Sequence, residues 1–315
     1  LADSVHSLGL KIGIYSTPWR GSYEGHIGSS GDNADGSYDW ILAGEANEDF
    51  RHKDYEKGRN KNWQFGKFSF AVNDARQWAA WGFDYLKYDW NPNDVPHVKE
   101  MADALRESGR DIVLSLSNSA PFESARELSA LAQCWRTTGD IRDNWESMSR
   151  IGFSQDRWRP YGRPGHWNDP DMLVVGLVGW GPELHQTQLL PDEQYTHISL
   201  WSLLAAPLLL GNDLARLDDF TLGLLTNDEV LEVNQDPLGN QGSLLRRGGG
   251  RDVWVKKLAD GSKAIGLFYP ANEFSDPSGY FSWDRETGTE ISVSGTELGI
   301  GGKFRVRDLW RQKDL

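Results

Sequence analysis

The chain has 315 residues, 38% of them hydrophobic, and a formal net charge of −13 at pH 7. This length suffices to bury one large core and a small second one. The acidic charge and the lack of any basic run argue against a nucleic-acid partner. The longest apolar stretch, from Leu200 to Gly211, is too short to cross a membrane.

Two residue counts bear on chemistry and origin. The 15 tryptophans are more than a core of this size requires, and tryptophan faces stack well on the C–H faces of sugars. The one cysteine, Cys134, rules out an internal disulfide, and no Asn-x-Ser/Thr sequon occurs. Both facts favour a bacterial origin over a eukaryotic secretory one.

The first residues are typical of the middle of a helix. Ala2 to Leu8 leads into a strand, and no apolar core follows a basic start, as it would in a signal peptide. We therefore expect that processing or truncation removed a segment before Leu1. The expected location is the bacterial periplasm or the extracellular space, with any signal peptide missing from this sequence.

Short apolar segments alternate with amphipathic ones along the first two thirds of the chain. The predicted strands are 10–16, 84–90, 111–117, 134–140, about 166–171 and 206–211, and the predicted helices are 73–82, 94–108, 122–132, 143–152 and 191–205. A polar insertion, 18–70, follows the first strand. This alternation implies a parallel sheet, either open and doubly wound or closed into a barrel. Polar candidates follow at least four of the strands, which favours the barrel.

The composition changes after residue 225. Asn234-Gln-Asp-Pro-Leu-Gly239 is a turn-rich hinge, and Arg247-Gly-Gly-Gly-Arg251 is typical of a hairpin loop. Further strands are predicted at 253–257, 264–269, 290–293 and 304–308. We therefore predict two domains, a barrel at 1–228 and an antiparallel β-sandwich at 236–315.

The run from Gly82 to Asn91 ends an apolar strand in Lys87-Tyr88-Asp89-Trp90. Because side chains alternate along a strand, Lys87 and Asp89 are expected on the same side. At the carboxyl end of a barrel strand, that side faces a pocket. Lys87 would keep Asp89 ionised and offer a donor to a sugar hydroxyl. Taken alone, the two residues would be an ordinary ion pair.

Two further segments bring carboxylates to predicted strand ends. The first runs from Cys134 to Asp140, where the apolar surroundings of a Trp-rich strand would favour a protonated carboxyl. Asp140 could alternatively be only the N-cap of the next helix.

The second segment is Asn168-Asp-Pro-Asp-Met172, with Asp169 and Trp167 expected to support the strand end. Alone it could be an Asx-Pro turn. A metal site would need several histidines at strand ends, and only His166 of the 7 histidines is so placed. We therefore expect neither a metal nor a cofactor.

With these motifs the chain resembles glycoside hydrolase family 27, the α-galactosidase and α-N-acetylgalactosaminidase family, over nearly its whole length. The resemblance implies a (β/α)8 TIM barrel followed by a C-terminal antiparallel β-sandwich. The strands present would be the third to the eighth, and the chain would also stop short of the family's last strands. The absent first two strands carry a Trp and an Asp-Asp pair in the family.

The resemblance implies a retaining exo-glycosidase, with Asp89 as nucleophile and Asp140 as acid/base. Retaining enzymes hold these carboxyl groups roughly 5–5.5 Å apart. Its substrate would be an oligosaccharide or another glycoside, and the oligomeric state is left open. Asp171 corresponds to a hydroxyl-binding carboxylate, with Met172 beside it. The residues expected to bind substrate are Lys87, Arg136, Ser117, Ala120, Asp171, Met172 and Trp19.

The residues at positions 117 and 120 bear on which sugar the enzyme would accept. Family α-galactosidases place a Glu and a Leu where this chain has Ser117 and Ala120, whereas the N-acetylgalactosaminidases use Ser and Ala there. Asn118, Ser119 and Pro121 depart from both patterns. We predict an α-galactosidase, with an α-N-acetylgalactosaminidase, a β-L-arabinopyranosidase or an isomaltose-releasing enzyme as alternatives. The insertion, with Trp19, could close over the pocket and select among them. A different class, a non-catalytic carbohydrate-binding remnant, stays open because of the absent strands.

Overall fold

The structure is a computed structural model that describes residues 1–18, 69–90, 93–179, 183–270 and 290–315. The chain forms two compact units, Leu1–Gly139 and Asp140–Leu315. The predicted domain division, 1–228 and 236–315, is a different partition and stays a prediction. Within the described ranges, no helix has both the length and the apolar character needed to span a membrane.

The first unit alternates strands and helices. Its elements are α1 (Ala2–His6), β1 (Gly13–Ser16), α2 (Ala71–Trp81), β2 (Tyr85–Tyr88), α3 (Val95–Glu107), β3 (Val113–Leu116), a 3₁₀ turn (Phe122–Ser124), α4 (Ala125–Leu131) and β4 (Cys134–Arg136). These bounds confirm the predicted helices and strands of this part of the chain, and each strand is shorter than predicted.

Strands β1 to β4 pair in parallel in chain order. The register sets Lys87 between Tyr15 and Ser115, and Leu116 beside Trp135. Most apolar residues of β2 and β3 are buried, with Leu86 and Leu116 at 0% exposure. Since parallel strands end together, their carboxyl ends form one edge, which is where the polar candidates are predicted.

Local signals set the ends of α3. The Asp94 side chain accepts the His97 N–H at 3.0 Å, and Pro96 occupies the first turn. Beyond the helix, Gly109 has a φ of +78°, a conformation that glycine adopts without cost. The helix predicted over 94–108 is therefore confirmed.

The amino end of β2 carries an ionic cluster around Asp84. This carboxylate accepts the Ile12 N–H at 3.0 Å, contacts His6 Nε2 at 2.8 Å and accepts from Arg110 Nη2 at 2.7 Å. The Ile12 N–H, His6 and Arg110 together hold the pKa of Asp84 well below its usual range. Asp84 thus joins α1, the start of β1 and the segment before β3.

The second unit continues with helices and short strands. Its elements are α5 (Trp145–Gly152), a 3₁₀ helix (Gln155–Tyr161), β5 (Trp167–Asp169), β6 (Leu177–Val178), β7 (His185–Gln186), α6 (Pro191–Leu203), a 3₁₀ turn (Leu214–Arg216), α7 (Asp219–Leu225), α8 (Asp228–Asn234), β8 (Ser243–Gly248), β9 (Arg251–Lys257), β10 (Lys263–Phe268), β11 (Arg307–Asp308) and β12 (Lys313–Asp314). Gly152 lies so close to α6 that a Cβ would approach Trp201 to 2.7 Å.

The strand predicted at 206–211 is nearly absent. It is reduced to one parallel bridge between Leu173 and Leu210. The Leu173 N–H donates to Leu209, and the Gly211 N–H donates back to Leu173. An apolar run shows that a segment is buried or extended, but it does not show how many ladder hydrogen bonds the segment makes.

The C-terminal sheet is antiparallel in the order β10–β9–β8. The predicted hairpin loop is confirmed, since Gly249 and Gly250 turn with φ values of +57° and +72° between β8 and β9. The strand predicted at 290–293 is wrong, because within the described part of the chain these residues pair with no neighbouring strand. Of 304–308, only Arg307–Asp308 is a strand, paired with Lys313–Asp314.

Strand β9 buries a lysine. Lys256 is 1% exposed, and its Nζ donates to the backbone C=O groups of Ser202, at 3.3 Å, and of Val233. Both acceptors lie in the last turn of a helix, where the helix dipole favours a cation. Burial lowers the pKa of Lys256 to about 8, and Asp236 opposes this effect.

We expect the free energy of unfolding to increase with pH, because the pKa of Lys256 is lower in the folded protein than in the unfolded one. Between the folded pKa of about 8 and the unfolded value of about 10.4, only the unfolded lysine holds its proton, so the gain is about 1–3 kcal/mol. Urea unfolding at about pH 7 and about pH 10 measures it, with the non-titrating Lys256→Met as reference. Parallel pH dependence in the two proteins would contradict the expectation.

Candidate active site

Asp89 stands directly beyond the carboxyl end of β2. Its N–H donates to the C=O of Ser16 at 2.8 Å, which ties the residue to the end of β1. Asp89 is half-buried, and its neighbours in the chain, Tyr88 and Trp90, are buried. The backbone of Asp89 is therefore held at the end of β1 while part of the residue stays exposed.

The expected contact between Lys87 and Asp89 is not formed. Lys87 is exposed on β2, and the described residues contain no ion pair between it and Asp89. Lys87 lies within β2, and Asp89 follows directly after the strand. An exposed lysine also gains little from holding a single geometry in water. The prediction that Lys87 keeps Asp89 ionised is thus not supported by this geometry.

The end of β3 continues into the loop that contains Ser117 and Ala120. The Ser117 N–H donates to Tyr88 at 3.0 Å, and its C=O accepts Asn93 Nδ2 at 2.7 Å. Ala120 donates its N–H to the C=O of Arg136 at 2.8 Å. Both Ser117 and Ala120 are buried. The loop is therefore fixed to β2 on one side and to β4 on the other.

Arg136 is the last residue of β4 and is 4% exposed. Its Nη2 lies 3.5 Å from the C=O of Thr138. Together with Asp89 and Ser117, it lies at the carboxyl ends of three neighbouring parallel strands. This edge of the first unit thus brings together an acid, a hydroxyl and a guanidinium, a combination suited to holding a polyhydroxylated ligand.

In the second unit, Asp140 is exposed. The expectation of apolar surroundings is therefore wrong, because the fully buried Trp135 lies five positions earlier in the chain, inside β4. The alternative role as a helix N-cap is also wrong. Asn144 caps α5, since its side chain accepts the Ser147 N–H at 3.0 Å.

Asp171 is buried and has a φ of +91°. Its Oδ2 accepts the Ile141 N–H at 2.8 Å and its Oδ1 accepts the Met172 N–H at 2.8 Å. Its own N–H donates to Asp169 Oδ1 at 2.7 Å, and its C=O accepts Trp201 Nε1 at 2.7 Å. Asp169 therefore supports the strand end, as predicted.

Met172, beside Asp171, is half-buried. Gly211 allows its position, because a Cβ there would lie 2.6 Å from Met172 Sδ and 3.0 Å from the C=O of Leu173. Trp19 and nearly all of the 18–70 insertion lie outside the described residues. Among the described residues, no group of His, Cys, Asp or Glu side chains could hold a metal ion.

Two residues that contact Asp171 are not singled out by the sequence. Ile141 offers a backbone N–H, which no residue type signals, and Trp201 is 30 positions from its acceptor at Asp171. A tryptophan within a helix is ordinarily expected to be a packing residue. The local signal is the indole N–H itself, because a buried tryptophan usually needs a hydrogen-bond acceptor for that group.

Family models cover most of the chain. Residues 56–236 match the family described as alpha galactosidase A, and residues 248–315 match the alpha galactosidase C-terminal beta sandwich domain. Among curated relatives, Alpha-galactosidase 2 from Arabidopsis thaliana is 35% identical over 317 residues, covering 98% of this chain and 65% of the relative. Alpha-galactosidase A from Homo sapiens is 32% identical over 294 residues, covering 89% and 57%. The chain thus spans less than two thirds of these two relatives.

Solved structures agree with the family models. A GH27 β-L-arabinopyranosidase from Geobacillus stearothermophilus matches with a TM-score of 0.76 and 27% identity, over 100% of this chain and 71% of that one. A Bacteroides fragilis structure matches with a TM-score of 0.74 and 29% identity, over 100% and 59%. The predicted fold class, a (β/α)8 barrel followed by an antiparallel β-sandwich, is confirmed. The chain belongs to glycoside hydrolase family 27, the α-galactosidase family.

Proposed function

We propose that the whole protein is a retaining α-galactosidase that hydrolyses terminal α-galactosides by double displacement. The observation that carries the proposal is Asp89, held directly beyond the end of β2 with Ser117 and Arg136 at the ends of the next two strands. Membership of the α-galactosidase family supports it. A bacterial origin and a periplasmic or extracellular location stay predictions.

In this mechanism Asp89 attacks the anomeric carbon while Asp140 gives its proton to the leaving glycosidic oxygen. The C–O bond to the aglycone breaks as the ester bond to Asp89 forms. Asp140, now a carboxylate, takes a proton from water, and the resulting hydroxide attacks the ester and frees Asp89. Retention requires the two carboxyl groups to lie about 5–5.5 Å apart, and this separation stays a prediction.

A panel of nitrophenyl glycosides tests the proposal. The whole protein should hydrolyse the α-galactoside faster than the α-N-acetylgalactosaminide and the β-L-arabinopyranoside. Proton NMR of the first sugar released should show the α-anomer, because two inversions restore the starting configuration. A β-anomer would contradict double displacement. Binding of galactose without hydrolysis of any member would favour the non-catalytic carbohydrate-binding alternative.

One observation favours a second activity, on α-N-acetylgalactosaminides. Ser117 and Ala120 are small, and both belong to the loop fixed between β2 and β4. Glu and Leu at these positions would fill space that a 2-acetamido group could occupy. The matched β-L-arabinopyranosidase adds a third candidate substrate, since that enzyme belongs to the same family.

We expect Ser117→Glu combined with Ala120→Leu to lower activity on N-acetylgalactosaminides while sparing activity on galactosides. A buried polar mismatch is worth about 1–3 kcal/mol, so the ratio of kcat/KM values should move by about tenfold or more. Glu123→Leu, in the exposed turn that follows, is the control and should leave the ratio unchanged. An unchanged ratio in the double variant would place both side chains away from the sugar.

A further inference from the structure

We propose that Asp171 is a positioning residue for Asp140. Its carboxylate would set the direction of Asp140 by accepting the N–H of the next residue, Ile141, at 2.8 Å. The inference rests on the proposed function, in which Asp140 is the acid/base. It gives Asp171 a role that is separate from binding a sugar hydroxyl.

Asp171 is immobilised through every polar group that it has. Its N–H, its C=O and both carboxylate oxygens hydrogen-bond to Asp169, Trp201, Met172 and Ile141, at 2.7 to 2.8 Å. All of these partners except Met172 are buried. Short bonds to a carboxylate in a buried site are among the stronger hydrogen bonds in proteins. Asp171 is therefore fixed in position, and it restrains the N–H groups of Ile141 and Met172 that it accepts.

The hydrogen bond to Ile141 acts directly on Asp140. The peptide unit is planar, so the N–H of Ile141 lies in the same plane as the C=O of Asp140. Holding that N–H therefore holds the peptide plane to which the Asp140 Cα belongs, and so restrains the point from which the side chain leaves the backbone. A catalytic acid must be placed within about 0.5 Å to be effective.

The residues after Asp140 are fixed as well. The Ile141 side chain is 1% exposed, the Arg142 N–H donates to Ser147 Oγ at 2.9 Å, and Asp143 Oδ2 accepts the Gln188 N–H at 3.1 Å. Asp140 itself is exposed. An accessible carboxyl group on a fixed backbone is the arrangement that general acid catalysis uses.

Asp171→Asn tests the carboxylate with little change in the backbone. Asparagine accepts a left-handed φ such as +91° about as readily as aspartate does. Its amide, however, has one oxygen, so its NH₂ group must face either the Ile141 or the Met172 N–H. The resemblance to the family also assigns Asp171 to binding a sugar hydroxyl. The experiment must therefore separate positioning from sugar binding.

The experiment is a double-mutant cycle of Asp171→Asn and Asp140→Ala in the whole protein. The readout is kcat/KM on two α-galactosides, one with a dinitrophenolate leaving group, which needs no protonation, and one with an alkoxide leaving group, which does. Asp171→Asn should cost about tenfold or more on the alkoxide substrate and about threefold or less on the dinitrophenyl one. In the Asp140→Ala background, Asp171→Asn should add about twofold or less.

Equal losses on both substrates, undiminished in the Asp140→Ala background, would overturn the proposal and assign Asp171 to sugar binding. Asp143→Asn is the matched control, because it loosens the same loop without touching the Asp140–Ile141 peptide. It should show no dependence on the leaving group. If Asp171→Asn does not fold, Asp171→Gly keeps the same φ and takes its place. Wild-type protein that hydrolyses neither substrate would refute the proposed function instead.

Discussion

Asp89→Asn is expected to abolish hydrolysis of p-nitrophenyl α-galactoside, with a loss of turnover on the order of 10⁴-fold or more. The amide that replaces the carboxylate cannot form the ester intermediate. Added azide should restore release of nitrophenol by entering from the face that Asp89 occupied. The product should be β-galactosyl azide, the anomer inverted relative to the substrate.

Asp140→Ala is the control for this experiment. Here the ester on Asp89 still forms from an activated substrate, and azide attacks the ester in place of water. Two inversions give α-galactosyl azide, so the two variants should yield opposite anomers, which NMR distinguishes. If Asp89→Asn instead gave α-galactosyl azide, Asp89 would be the acid/base and Asp140 the nucleophile.

Trp201→Ala is expected to lower the free energy of unfolding by about 3–5 kcal/mol. The side chain is 0% exposed, and its ring centroid lies 4.2 Å from that of His197 in a T-shaped arrangement. Truncation leaves a cavity between α5 and α6 and removes the donor to the C=O of Asp171. Urea or thermal unfolding measures the loss.

Trp201→Phe separates the two contributions. It keeps most of the apolar volume but leaves the C=O of Asp171 buried without the indole donor, which should cost about 1–3 kcal/mol. Trp81→Ala is the matched control, since Trp81 is 52% exposed and its removal should cost less than about 1 kcal/mol. Comparable losses at the two tryptophans would contradict the role assigned to Trp201.

Much of the fold is predictable from the sequence, because the apolar runs and the helix-ending residues coincide with the strands and the helix ends of the structure. The apolar runs that contain Leu86 and Leu116 form strands in which these two side chains are fully buried, and Gly109 marks the end of α3 as expected. The motif around Asp89 is informative because two further segments, around Asp140 and Asp171, also bring carboxylates to predicted strand ends. Residue type and spacing together carry that prediction.

The remainder depends on contacts between residues that are distant along the chain. Nothing local shows that the carboxylate of Asp171 holds a backbone N–H 30 positions earlier, at Ile141. Asp140 is a plausible N-cap because aspartate is a good cap, yet Asn144 is equally good and lies directly before the helix. The strand at 206–211 is mispredicted because hydrophobicity does not encode hydrogen-bond partners.

The position of the ionic cluster around Asp84 affects which substitutions this protein can accept without losing stability. Asp84 and its partners lie at the amino end of β2, whereas Asp89 and the loop from Ser117 to Ala120 follow the carboxyl ends of β2 and β3. Exchanges in that loop therefore do not touch the contacts that join α1, β1 and β2. Such a separation lets new substrate preferences arise by mutation while the framework keeps its stability, which is how barrel enzymes diversify.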